Sequence, residues 1–287
     1  KMMSHRLVCD ERSRDLFQQE ADIIESFDHP NIVRMLGRFA MFHTYFIVVE
    51  FIDGMSLHEL MIQQSTLSET QLRATLGQLV QAVDYAHASQ VIHRDIKPGN
   101  VMINSQGQVK LMDFGLAKPL GPQASVDRVL VGTPGYMAPE QFTETAPDRG
   151  IDVFALGCLA FELLTGGKLF PQQLVSEFIQ ALSQWQGLDG SLLPPGTSQE
   201  LTEVLQGWLA VDPDQRPNQF ERVGRWAENV EVPLPAGSSS PSHDPDAVTQ
   251  TLPDQKETHL EDEDDTVIDE NRAAITDEDT STDDQDT

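Results

Sequence analysis

From Pro241 to Thr287 the chain contains no Trp, Tyr, Phe or Met, yet it carries 17 acidic residues against 2 basic ones, Lys256 and Arg272. Runs such as EDEDD at 261–265 repel themselves. A segment so poor in large apolar side chains cannot bury enough surface to offset the entropy of ordering. The sequence therefore predicts a disordered acidic tail over 244–287, preceded by a Pro, Gly and Ser linker over 232–243. Folding is confined to residues 1–231, enough for one large domain with a core of its own.

The same boundary divides the charge. Of a formal net charge of −27, −15 belongs to the last 47 residues and −12 to the rest. Both parts have the wrong sign for neutralising nucleic-acid phosphates or an anionic membrane, so neither is an expected partner. The two cysteines, Cys9 and Cys158, are too few for a disulfide framework and fit a reducing, cytoplasmic setting. The most apolar run, VFALGCLAFELLTGG at 153–167, is interrupted by Glu162 and is too short to span a bilayer. No signal-peptide pattern opens the chain, and Lys rather than Met at position 1 leads to the expectation that the sequence begins inside a longer gene product.

Periodicity gives a coarse order of elements. Leu16, Phe17, Ile23, Ile24 and Phe27 recur at helical spacing over 11–28, and YFIVVEFI at 45–52 is a β-rich run. A helix is expected over 70–89, with Leu72, Leu76, Leu79, Val80 and Val83 on one face. VMIN and VKLM, separated by SQGQ, read as two strands joined by a turn. Residues 152–164 are apolar nearly all round, as in a helix buried on every side, and Leu201, Val204, Leu205, Trp208 and Leu209 mark another amphipathic helix. The pattern is α+β, with a little sheet first and a larger helical body second.

Set on these elements are HRDIKPGN at 93–100, LMDFGLA at 111–117, GTPGYMAPEQ at 132–141, Asp152 inside the buried helix and DPDQRP at 212–217. In this order and at these spacings they resemble the eukaryotic-like, Hanks-type serine/threonine protein kinase family over roughly residues 1–229. Their wording and the compact activation segment resemble bacterial members. The resemblance implies a bilobal kinase fold with a mostly helical C-terminal lobe, ATP and Mg²⁺ as nucleotide and cofactor, and a protein as substrate.

The resemblance also assigns roles. Asp95 is the expected catalytic base, and Lys97 the lysine that neutralises the transferring phosphate. Asn100 and Asp113 are the expected metal ligands, hard oxygen donors of the kind Mg²⁺ prefers. Lys1 and Glu20, 19 residues apart, match the third-strand lysine and its partner on the following helix, in the group that holds the nucleotide. Glu50 joins that group beside a hinge at 51–56, with Val49 as gatekeeper. Glu140 and Arg216 match an ion pair tying the activation segment to the helical body. Asp152 matches an anchor for the catalytic loop, and His93, Phe114 and Ile24 a stacked apolar column.

Some family features are absent or altered. No G-x-G-x-x-G occurs, so the N-lobe sheet is expected to be truncated before its third strand, and a chain without that phosphate cover is expected to have little activity. TGGK at 165–168 lacks Walker spacing and closes a helix instead of opening one. Lys97 and Thr133 resemble serine/threonine kinases, and Leu116 those preferring serine. Gly99 stands where arginine-directed kinases carry Glu. The stretch VLV before GT has no hydroxyl, which leaves Ser125 as the candidate regulatory phosphosite despite Arg94. The tail lacks an EF-hand glycine and is not a calcium loop. Thr266 and Thr276, each with Asp three residues on, could engage a phosphothreonine-reading partner. His43, His58, His87, His243 and His259 show no metal-ligand spacing and are expected at the surface. The alternative to an active enzyme is a pseudokinase or scaffold module, though no expected base, metal ligand or strand lysine is lost.

Overall fold

In the computed structural model, described over residues 1–4, 8, 10–119, 132–142, 148–172, 174–217 and 220–227, Asp10 caps the first helix by accepting the Ser13 N–H at 2.8 Å. Cys9, Ser125, His243, His259, the linker and the acidic tail lie outside the described residues. That helix, α1 (Glu11–Glu25), turns Ala21, Ile23 and Ile24 inward together with Glu20. Strands β1 (Met35–Met41) and β2 (Thr44–Val49) follow as an antiparallel hairpin, in register at Phe39 and Phe46. The first three residues run along the other edge of β2, where Ile47 N–H donates to Lys1 O at 2.9 Å and Met3 N–H to Tyr45 O at 2.9 Å. Lys1 is thereby a sheet residue, facing the helix that follows it.

After a short β3 (Gly54–Ser56), helices α2 (Leu57–Gln64) and α3 (Glu69–Ala88) each begin with a capping box, Ser56 with Glu59 and Ser68 with Gln71. Two donors at each helix start are satisfied reciprocally in this way. Helix α3 ends before β4 (Val91–Ile92), which pairs with β7 (Lys118–Pro119). Between them lie β5 (Val101–Asn104) and β6 (Val109–Leu111), antiparallel to each other, with β3 on the outer edge of β5. The two motif loops follow strands of different sheets, 93–100 after β4 and 112–117 after β6.

The centre of the helical body is α4 (Gly150–Thr165), with 14 of its 16 residues buried. Its apolar circumference requires neighbours on all sides, which include α3 and α6 (Gln199–Trp208). At Gly157 an added Cβ would stand 2.7 Å from Leu209 Cγ, so this glycine sets how closely the chain after α6 approaches. Gly166, at φ +79°, ends α4 in the left-handed conformation that favours glycine. Helices α5 (Val175–Ser183) and α7 (Glu221–Gly224) complete the body. Each fully buried Leu or Phe of α4 contributes about 1.5–3 kcal/mol of apolar burial.

The expected elements appear with ends shifted by a few residues, and the 45–52 run stops being a strand after Val49. Among the described residues no helix is long and apolar enough to cross a membrane. One expectation is corrected. His87 is 1% exposed and lies inside α3's packed face, four residues after Val83 on the stripe that the sequence already marked.

Candidate active site

The buried carboxylate of Asp152, at the start of α4, shapes the loop after β4. Its Oδ2 accepts His93 N–H at 2.8 Å, its Oδ1 accepts Arg94 N–H at 2.8 Å, and His87 Nε2 lies 2.8 Å from Oδ2. Burial pushes the Asp152 carboxyl up, but interactions with His87, its hydrogen bond first, and with His93, including the His93 N–H, outweigh it and hold the group below the usual carboxylate range. Arg94 takes φ +69°, an unfavourable backbone for a side chain of its kind, and this anchor holds it there. His93 then bridges the two motif loops, with Nε2 donating to Met112 O at 2.9 Å and Nδ1 accepting Asp95 N–H at 3.2 Å.

Asp95 sits at the convergence. Its Oδ2 receives Asn100 Nδ2 at 2.8 Å and Lys97 Nζ at 2.8 Å, while Oδ1 receives the Thr133 hydroxyl at 2.6 Å. Lys97 Nζ also donates to Thr133 Oγ1 at 2.7 Å. Asn100 Nδ2 makes a second bond to Asp95 O at 2.8 Å, so its amide nitrogen is committed and its oxygen is left as the donor atom for a cation.

Across the site Asp113 adopts φ +56°, and its Oδ1 accepts from Lys1 Nζ at 2.7 Å and from Gly115 N–H at 3.2 Å. Lys1 Nζ lies 2.8 Å from each Glu20 oxygen. A Cβ at Gly115 would come within 3.0 Å of Asp113 Oδ1 and 3.3 Å of Lys1 Nζ, so a side chain there would crowd the cluster. Phe114 between them is buried, edge-on to His93 at 4.6 Å and to Phe27 at 5.3 Å between ring centroids. Phe27, two residues past the end of α1, continues that helix's apolar spacing and so reaches Phe114.

The charges follow from these contacts. Burial lowers Lys1, but the charges and hydrogen bonds of Glu20 and Asp113 outweigh it and hold the ammonium above its ordinary value. Burial raises Asp113, and Lys1 with the Gly115 N–H brings it below the carboxylate range. For Glu20 burial prevails over Lys1, with the Asp113 charge adding to it, so its carboxyl is raised.

A cavity of about 340 Å³ opens onto Lys1, Glu20, Asp95, Asp113, Gly115 and Leu116. Six of the seven candidate residues are thus linked in two hydrogen-bonded groups. The Glu50 carboxylate does not join them. Its Oε1 accepts from Lys110 Nζ at 2.6 Å and from the Arg34 N–H at 2.8 Å, while the Glu50 N–H donates to Arg34 O at 2.9 Å. Burial raises Glu50, but these two donors outweigh it and lower the carboxyl. Below the loop, the buried Arg216 reaches Glu140 at 2.5 and 3.1 Å and the Gly150 carbonyl at 3.0 Å.

The donors present fit a hard cation only in part. Among the described residues no group of three or more His, Cys, Asp or Glu could hold a metal ion. Asn100 and Asp113 offer two oxygen ligands, the number Mg²⁺ takes from protein when phosphates and waters fill the rest of its shell.

The family description "Protein kinase domain" matches residues 1–226. The chain is 36% identical over 199 residues to "Serine/threonine-protein kinase TIO" of Arabidopsis thaliana, covering 69% of this chain and 15% of that protein. It is 33% identical over 224 residues to "Serine/threonine-protein kinase 36" of Mus musculus, covering 77% of this chain and 16% of that protein. A third similarity, 32% over 207 residues, is to "Inactive serine/threonine-protein kinase PLK5" of Mus musculus, covering 72% of this chain and 34% of that protein.

Proposed function

We infer that this chain, since it belongs to the protein kinase family, transfers the γ-phosphoryl group of ATP to a serine or threonine hydroxyl of a protein substrate. Because one similar protein is named inactive, identity alone does not carry the reading. The observation that carries it is the joint Asp95, Lys97 and Thr133 contact, facing the Lys1, Glu20 and Asp113 group across one cavity.

Phosphoryl transfer demands alignment and charge neutralisation more than covalent help from the protein. The acceptor oxygen forms its bond to the γ-phosphorus as the bond to the β,γ-bridging oxygen breaks, and ADP departs. Asp95, aimed by Asn100 and Thr133, takes the acceptor's proton. Lys97 offsets charge on the moving phosphoryl oxygens. Lys1, kept cationic and oriented by Glu20, holds the remaining phosphates. Asn100 and Asp113 would hold Mg²⁺, which when bound neutralises phosphate charge. Thr266 and Thr276 as ligands of a phosphothreonine-reading partner require phosphorylation of the tail, for which mass spectrometry of the full protein is the test.

The test of the enzyme reading is an ATP transfer assay on the intact protein, wild type beside Asp95→Asn. The expected fall is on the order of 10²-fold or more. Equal transfer by both proteins would overturn it.

A further inference from the structure

The motif TGGK at 165–168 is not a phosphate loop, but the structure gives its lysine a distinct position. Gly166 and Gly167 turn the chain after α4, and the exposed Lys168 extends over the face of Tyr136, with Nζ 5.5 Å from the ring centroid. The lysine stem passes Gly135, whose φ of +94° favours glycine and where a Cβ would stand 3.3 Å from Phe170 O and in ordinary contact, 3.9 Å, with Lys168 Cδ. Tyr136 is tied to the acceptor end of the site, because its N–H donates to Thr133 O at 3.2 Å and the Thr133 hydroxyl rests on Asp95.

The charges along this floor are unequal in a telling way. Asp95 is bonded to Lys97, Thr133 and Asn100, Glu140 to Arg216, and Glu162 to the Tyr136 hydroxyl at 2.5 Å. Lys168 has no carboxylate partner among the described residues, and its Nζ lies over the Tyr136 ring. Gly99, beside the catalytic loop, contributes no side chain, and a Cβ there would meet nothing within 4 Å. Among the described residues, a peptide laid against Thr133 and Tyr136 therefore meets Asp95, Glu140 and Glu162 already bonded and Lys168 with no carboxylate partner.

We propose that Lys168 is a substrate-selecting residue, and that the proteins phosphorylated by this site carry an acidic residue close to the acceptor Ser or Thr. The proposal rests on the kinase reading above. The Thr133–Tyr136 turn and the further reach to Lys168 together span on the order of 10 Å, which an extended chain covers in about three residues. The body's overall negative charge does not cancel the attraction, since at physiological ionic strength charges beyond about 8 Å are largely screened. An exposed pair of this kind discriminates by about three- to fivefold.

The experiment uses the full protein and a peptide of residues 260–272, whose Thr266 lies among acids, beside versions with those acids replaced by amides or by lysines. Wild type is expected to favour the acidic peptide by about three- to fivefold in kcat/KM, with the preference falling as salt rises. Lys168→Arg should retain the preference and Lys168→Glu should reverse it. Equal use of the acidic and amide peptides by wild type, or an unchanged preference in Lys168→Glu, overturns the proposal and leaves Lys168 as packing on Tyr136. A preference for the lysine peptide assigns recognition to Glu162 instead and overturns it too. If neither casein, histone nor any peptide accepts phosphate, the kinase reading falls. Fluorescence anisotropy with Thr266→Ala peptides then still decides the charge preference, and equal binding of the acidic and amide forms counts against Lys168.

Discussion

The Asp152 carboxylate receives the backbone N–H of Arg94 at 2.8 Å, and through it a residue of the central helix holds the catalytic loop in a backbone conformation it would not choose. Removing that carboxylate leaves the His93 and Arg94 N–H groups and His87 without their buried acceptor. Asp152→Ala should lose about 3 kcal/mol or more of stability. Urea denaturation measures this, and an unchanged midpoint would show that the loop is held by something else.

Thr133 bridges Lys97 and Asp95 through a single hydroxyl. Thr133→Ser keeps that hydroxyl and should stay near wild-type transfer, whereas Thr133→Val should lower kcat by on the order of tenfold to a hundredfold. If the valine variant matches wild type in a steady-state assay, the bridge has no part in aligning the base.

Glu20 is buried and orients Lys1. Glu20→Gln keeps the shape and one acceptor oxygen but loses the charge, so Asp113 is left as the carboxylate on Lys1. The KM for ATP should rise and kcat/KM fall by about tenfold or more, an outcome read from initial rates over an ATP series.

Two protein oxygens do not make a Mg²⁺ site unaided. In thermal unfolding, MgCl₂ alone should leave the midpoint nearly unchanged, while ATP with Mg²⁺ should raise it, as ligands that bind only the folded state do. A large shift with the metal alone would point to a different cation site.

Acid stability has a defined window at one cluster. Hydrogen bonds from Arg73 and Arg222, with the Arg73 charge and Trp226, overcome slight burial and pull Glu200 from its ordinary 4.5 down to about 2. A carboxyl depressed in the folded state stabilises above its unfolded value and loses that contribution as pH falls from about 4.5 to about 2. Between pH 5 and 2.5 wild type should therefore lose more stability than Glu200→Gln in matched urea titrations. Because the group is exposed, the difference should shrink in high salt.

The helices and motif strands were legible because their signals are local. Capping residues, the 3.6-residue stripe of α3 and the apolar circumference of α4 each lie within one stretch of chain. The pairing of the first residues with β2 and the Glu50 contact with Lys110 had no such signal. Glu50 was expected at the nucleotide, but a lysine 60 residues away takes its carboxylate. His87 differs: lack of metal-ligand spacing says nothing about burial, and its place on the α3 stripe puts it in the core beside Asp152.

By itself the sequence determined which groups are available for chemistry, since that depends on residue type and short-range order. No contact elsewhere alters a composition such as that of 241–287, 17 acids against 2 bases and no aromatic residue. Only the tertiary structure decided which groups meet. Lys1 reaches Asp113 across 112 positions of chain, and Thr133 reaches Asp95 across 38. It also left Lys168 with an aromatic face and no carboxylate among the described residues. Such pairings are set by how sheet and helices pack, because a charge acts through distance and burial and not through separation along the chain.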